Sequence, residues 1–173
     1  METRKTAQMG LLIALAMILS YIESRIPAFV AIPGIKMGLA NIVVVFALYR
    51  LGAKEALLVS ALRVVLSTLL FGSILSFAYS FSGALLSYVG MVALKKTNWF
   101  STVAVSVSGG VLHNIGQILA AMVLLETSVV AYYIPFLIIS GVITGVVIGI
   151  AAAVVINRLD PKRKMEDEEE EDE

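Results

Sequence analysis

The 173-residue chain has no cysteine, so disulfides, thiolate metal sites and cysteine nucleophiles are excluded. Its only histidine is His113, which excludes a multi-histidine metal centre. Charged residues supply 15% of the composition against 59% hydrophobic residues, too few to clothe a soluble domain of this size. There is no G-x-x-x-x-G-K-[ST] loop, so any ATP use falls to a partner. No acid falls within an apolar segment to orient His113, which argues against a Ser-His-Asp arrangement. Bases follow helix ends rather than one groove, which argues against nucleic-acid binding.

What is present is apolar, with a mean hydropathy of +0.93. The net charge of zero hides an asymmetry. Eight acids form one run from Glu166 to Glu173, and the rest of the chain holds 13 bases against five acids. A run of like charge repels itself, so residues 159–173 read as a disordered acidic cytoplasmic tail. Residues 1–158 read as an all-α integral membrane domain with helices near 5–24, 38–51, 53–71, 72–95, 100–125 and 132–158. The second segment is short for a span. The first lacks a small-x-small cleavage site and reads as a retained helix, not a signal peptide.

Orientation follows from the bases. With the N-terminus inside, cytoplasmic segments hold ten of them (Arg4, Lys5, Arg50, Lys54, Lys95, Lys96, Arg158, Lys162, Arg163 and Lys164). External loops hold two, Arg25 and Lys36. This split predicts six transmembrane helices with both termini on the cytoplasmic side of the cell membrane.

Polar residues inside apolar helices are expensive and mark sites. Arg63 is about ten residues into its helix, or about 15 Å deep at 1.5 Å per residue. Glu23, Glu55 and Glu126 all lie near helix ends, so the sequence offers Arg63 no acid at matching depth. Either an anionic ligand or a clamp of carbonyls and hydroxyls satisfies such a guanidinium. His113 and Gln117 share a helix face with Asn114 beside them, as a structural hydrogen-bonded group or as a recognition surface. Asn41, Ser73, Ser76 and Ser80 fall in the outer halves of their helices. Lys36 stands at the external N-terminus of the second helix, where unpaired N–H groups favour an anion. Together these residues predict an outward-facing pocket for an anionic or zwitterionic solute beneath the loop Arg25–Lys36. That loop carries Pro27 and Pro33 and reads equally as a lid or as a loop on the lipid interface. Small residues form rows at Gly141, Gly145, Gly149 and Ala153, and from Ser73 to Gly90 in the fourth helix. Such rows serve internal packing or a partner surface.

Three stretches carry a family likeness: Pro33-Gly34-Ile35-Lys36-Met37-Gly38-Leu39-Ala40-Asn41; Arg63 followed by Phe71-Gly72-Ser73 and Ser76-Phe77; and His113-Asn114-Ile115-Gly116-Gln117. With them the chain resembles the Gx transporter family, also labelled heptaprenyl diphosphate synthase component I, over residues 5–158. That family is similar to the S components of energy-coupling-factor transporters. The resemblance implies a six-helix bundle that binds a micronutrient, with a lid-like first external loop, a membrane coupling protein and cytoplasmic ATPases as partners. It implies a docking face on the first helix at Gly10, Ala14 and Ala16, although Gly10 departs from the Ala-x-x-x-Ala pattern. The synthase label tests poorly on the residues. Holding Mg²⁺ against a diphosphate needs clustered carboxylates, and the only aspartates are Asp160, Asp167 and Asp172. No cofactor is expected. The alternative is a non-catalytic accessory subunit of prenyl diphosphate or quinone metabolism, or of a flavin-linked electron-transfer assembly. An autonomous ion-coupled carrier ranks last, for want of a buried acid.

Overall fold

The computed structural model describes residues 2–25 and 38–159. Among these residues every regular element is helical. The elements are α1 (Glu2–Arg25), α2 (Asn41–Arg50), α3 (Ala53–Phe71), α4 (Ile74–Thr97), α5 (Thr102–Leu124) and α6 (Ile134–Arg158), with a 3₁₀ turn at Val129–Tyr133 leading into α6. The loop between Arg25 and Lys36, and Lys36 itself, lie outside the described residues apart from Arg25, as does the acidic tail.

Helix ends follow local chemistry. Ser73 caps α4 by accepting from the N–H of Ser76 at 3.1 Å, and Ser101 caps α5 by accepting from Ala104 at 3.2 Å. The tight α2–α3 turn needs Gly52 at φ +118°, a region that side chains rarely enter. Asn98 takes the left-handed position after α4.

Four helical segments are long and apolar enough to cross a membrane: Thr3–Arg25, Ile74–Thr97, Thr102–Leu124 and Val129–Arg158. The other two helices, α2 and α3, do not meet that measure of length and composition. The ten residues of α2 reach about 15 Å, half of a bilayer core of about 30 Å. The 19 residues of α3 include Lys54, Glu55 and Arg63. The outward faces carry Leu69, Ile74, Val123, Phe136 and Val147, all largely exposed. Lipid, not water, is the solvent that tolerates such a surface.

The short α2 is the hub. Val43, Val44, Val45, Ala47 and Leu48 are buried, so the helix is apolar nearly all round. It packs against α1, α3, α5 and α6, and its core extends to Leu12, Ala16, Val59, Met91, Val105 and Ile148. The α4, α5 and α6 helices form a second, closely packed layer. A Cβ at Gly110 would stand 2.5 Å from the carbonyl oxygen of Gly141, and one at Gly145 would stand 2.6 Å from the Cα of Val107. The glycine row of α6 therefore serves internal packing against α5. Of the three candidate docking residues, Gly10 and Ala14 are exposed on α1. Ala16 is corrected: it is fully buried in the core around α2 and faces no partner.

The two ends of the bundle differ in charge. Lys5 of α1 pairs with Glu55 of α3, Arg50 donates to the carbonyl of Leu159 at 2.6 Å, and Lys95 donates to the carbonyl of Leu48. These contacts gather Lys5, Arg50 and Lys95 at one end. Tyr49 lies beneath the Lys95 ammonium at 4.7 Å.

Candidate functional site

Four polar side chains share one level in the bundle. Measured from the basic end, Asn41 is nine residues along α2, Arg63 ten along α3, Ser87 ten along α4 and His113 eleven along α5. At 1.5 Å per residue each is about 15 Å deep. Because α2 is short, its N-terminus opens at this depth and not at a membrane face. Helix starts leave N–H groups without intrahelical partners. In the middle of a membrane those groups require an acceptor.

Glu23 supplies it. Near the end of α1 and only 5% exposed, it accepts from the N–H of Gly38 and, at 3.3 Å, from that of Leu39. Those residues form the turn that leads into α2, closed by Asn41 N–H on Gly38 O at 2.8 Å and Ile42 N–H on Leu39 O at 3.2 Å. The negative charge also complements the positive end of the helix dipole. Glu23 is also the one buried acid among the described residues. The expectation that Arg63 has no acid at its level is thereby corrected. Glu23 lies near a helix end, but α1 brings that end to the start of α2, at the level that Arg63 occupies in α3. Arg63 is itself 5% exposed, and its Nε finds no hydrogen-bond partner among the described residues. Ser60 and Ser67 are buried on the same face of α3.

From Gly38 the polar layer continues to His113. At φ +89°, Gly38 presents its backbone to the imidazole, whose Cδ2 is 3.5 Å from the position of an added Cβ. On the opposite side, a Cβ at Gly83 would stand 3.1 Å from His113 Cε1 and 2.9 Å from Gln117 Cγ. A turn glycine and a helix glycine thus both pack on the ring. Asn41 reaches across to α4, donating from Nδ2 to Ser87 Oγ at 3.3 Å. The small-residue face of α4 gives room for these groups: Ser76, Ser80, Gly83 and Ser87 are all buried at three- and four-residue intervals.

The remaining candidates divide. Gln117 is fully buried and donates to Asn114 Oδ1 at 3.3 Å, while Asn114 donates to the carbonyl of Leu137 in α6 at 2.7 Å. Asn114 is therefore committed in part to holding α5 against α6. Ser80 is buried, and its hydroxyl has no partner among the described residues. Ser73 is exposed, and its hydroxyl serves as the α4 cap. Lys36 lies outside the described residues. Glu23 and Ser87 are the members the sequence reading left out of the site. The signal for Glu23 was the cost of a buried, uncompensated guanidinium, which demands an acid from somewhere in the fold.

Among the described residues no group of three His, Asp or Glu side chains is placed to hold a metal ion. A separate groove of about 660 Å³ opens between α4 and α5, lined by Ala78, Leu85, Val89, Leu119 and Val123 with Ser82. Its lining is apolar, unlike the layer around His113, and suits hydrocarbon better than a polar solute.

No curated protein sequence and no solved structure gives a significant match to the chain. A family model does match, over residues 12–155, which covers α2 to α5 entirely, most of α1 and nearly all of α6. On that match, the chain belongs to the family described as heptaprenyl diphosphate synthase component I.

Proposed function

We propose that this protein is a substrate-binding membrane subunit, akin to the S components of energy-coupling-factor transporters, for uptake of a small polar or anionic solute. The observation that carries the reading is the polar layer of Asn41, Arg63, Ser87 and His113, set about 15 Å deep in an apolar bundle around a helix that starts at that depth. Helix starts within the bilayer and intramembrane polar side chains are devices of solute recognition. Asn41, Arg63, His113, Asn114, Gln117, Ser76 and Ser80 would contribute to the site, with Lys36 and the Arg25–Lys36 loop above it. The end that gathers Lys5, Arg50 and Lys95 faces the cytoplasm under the positive-inside rule, which puts both termini inside the cell membrane. Transport energy comes from partner ATPases, since the sequence has no phosphate-binding loop of its own. A coupling protein would meet α1 through Gly10 and Ala14, its exposed small residues.

The family description favours a second reading, a non-catalytic subunit serving prenyl diphosphate or quinone metabolism. The α4–α5 groove would then hold a prenyl chain. Native mass spectrometry of gently extracted protein separates the two. The first reading expects a stoichiometric polar adduct, lost in Asn41→Leu while the helical circular dichroism persists. A prenyl or lipid adduct that Asn41→Leu leaves in place supports the second and defeats the first.

A further inference from the structure

The start of α2 and the buried guanidinium of α3 together have the makings of an anion site. Two backbone N–H groups, those of Gly38 and Leu39, converge on one point, and the buried Arg63 guanidinium is carried on α3 at the level where α2 begins. That point is already taken. The Glu23 carboxylate accepts both N–H groups. Glu23 and Arg63 are also the two buried formal charges among the described residues, one of each sign. An incoming anion would have to displace a covalently tethered carboxylate from its hydrogen bonds or enter beside it against its repulsion. In a water-poor interior both are costly. A neutral or zwitterionic solute meets neither penalty. It meets polar side chains there, with His113 packed on Gly38 and Asn41 bonded to Ser87.

We propose that Glu23 is the internal counter-anion of this site, filling the anion position at the start of α2 and so restricting the solute to one without net negative charge. The proposal rests on the binding-subunit reading for its substrate class, and it narrows that reading from polar or anionic to neutral or zwitterionic. Glu23 acts here as a specificity-determining residue, because its charge selects which solutes can share the layer with Arg63.

Truncation and chemical replacement test it. Glu23→Ala removes a group whose outer part has the size and charge of acetate. The full chain is melted in lipid nanodiscs in sodium acetate and in sodium chloride of equal ionic strength, followed by helical circular dichroism. Acetate is expected to raise the Glu23→Ala midpoint saturably, with half-saturation about tenfold lower than for any response of the unaltered protein, because the vacated N–H groups and Arg63 offer charge-assisted bonds. The rescue is expected to vanish in Glu23→Ala combined with Arg63→Met. Equal responses of the variant and the unaltered protein, or rescue that survives loss of Arg63, would overturn the counter-anion role.

Glu23→Gln keeps shape and acceptor oxygen while removing charge, and it serves if the alanine variant fails to fold in either salt. Its retained solute, read by native mass spectrometry, is expected to change from neutral or zwitterionic to anionic. An anionic adduct on the unaltered protein overturns the specificity claim. The two readings fail separately. If the unaltered protein holds no polar solute, the binding-subunit reading falls, while the acetate response still decides whether Glu23 fills an anion position.

Discussion

The α1–α3 half of the bundle and the α4–α6 half are held together by different physics. Between α4, α5 and α6 the contacts are backbone against backbone: Gly83 against the carbonyl of His113, Gly110 against Gly141, Gly145 against Val107. No charge is buried there among the described residues. Such surfaces gain from close dispersion contact, the main attraction left between helices when both solvent and side chains are hydrocarbon. Between α1, α2 and α3 the ties include ionic groups at both depths, Lys5 with Glu55 at the basic end and the Glu23 carboxylate on Gly38 and Leu39 in the interior. Shape makes the α4–α6 half a rigid wall. Charge makes the α1–α3 half specific. The polar layer runs along the seam between the two, with Asn41 and Gly38 on one side and His113, Ser87 and Gly83 on the other.

The contrast breaks most sharply at Arg63. Arg63→Met leaves the Glu23 carboxylate buried without its cation, and the expected loss is about 3–5 kcal/mol of unfolding free energy. Adding Glu23→Gln should recover a large part of it, since an unpaired buried charge costs more than a missing pair. Reversible unfolding in mixed detergent measures the cycle, and strictly additive losses would show that the two residues do not act on each other.

In the other half, Gly110→Ala sharpens the comparison. Its methyl group would stand 2.5 Å from the Gly141 carbonyl oxygen, and neither backbone can yield without separating the helices. The expected cost is about 1–3 kcal/mol, read by the same unfolding assay, and it should not change with salt. A neutral outcome would mean that α5 and α6 pack less closely than the glycine row indicates.

Lys5→Ala gives the smallest effect of the set. The Lys5–Glu55 pair lies at the bundle's end, with the lysine side chain half exposed. Water and ions screen such a pair, so the change in melting midpoint should be slight and should disappear in high salt. A salt-insensitive loss would place this pair in a drier setting than its exposure indicates.

Much of the helical plan was legible because lipid imposes it. Apolar runs about 20 residues long admit one backbone solution, and rows such as Gly141, Gly145 and Gly149 announce close approach at helical spacing. Arg63 and His113 stood out for the same reason, as costly groups in apolar surroundings. Ser73 misled, because a serine before an apolar run suits a pocket wall and a helix cap equally, and only the 3.1 Å bond from Ser76 N–H separates them. Ala16 misled because small residues recur on both faces of α1, and periodicity alone does not say which face meets the core. Glu23 was discounted for its place near a helix end. Its depth depends on where α1 finishes relative to the start of α2, which is a relation between elements.

Local residue patterns make the protein helical, suit most of its long helices to lipid, put its bases at helix ends, and carry a guanidinium and an imidazole deep inside. Those properties follow from local composition and from the cost of bare backbone in hydrocarbon. Helix packing sets the rest: α2 begins within the bundle, Glu23 accepts from the turn before it, and Gly38 and Gly83 both pack on His113. These depend on distances between groups far apart in the chain, set by how whole helices pack, and no local pattern of residues encodes them.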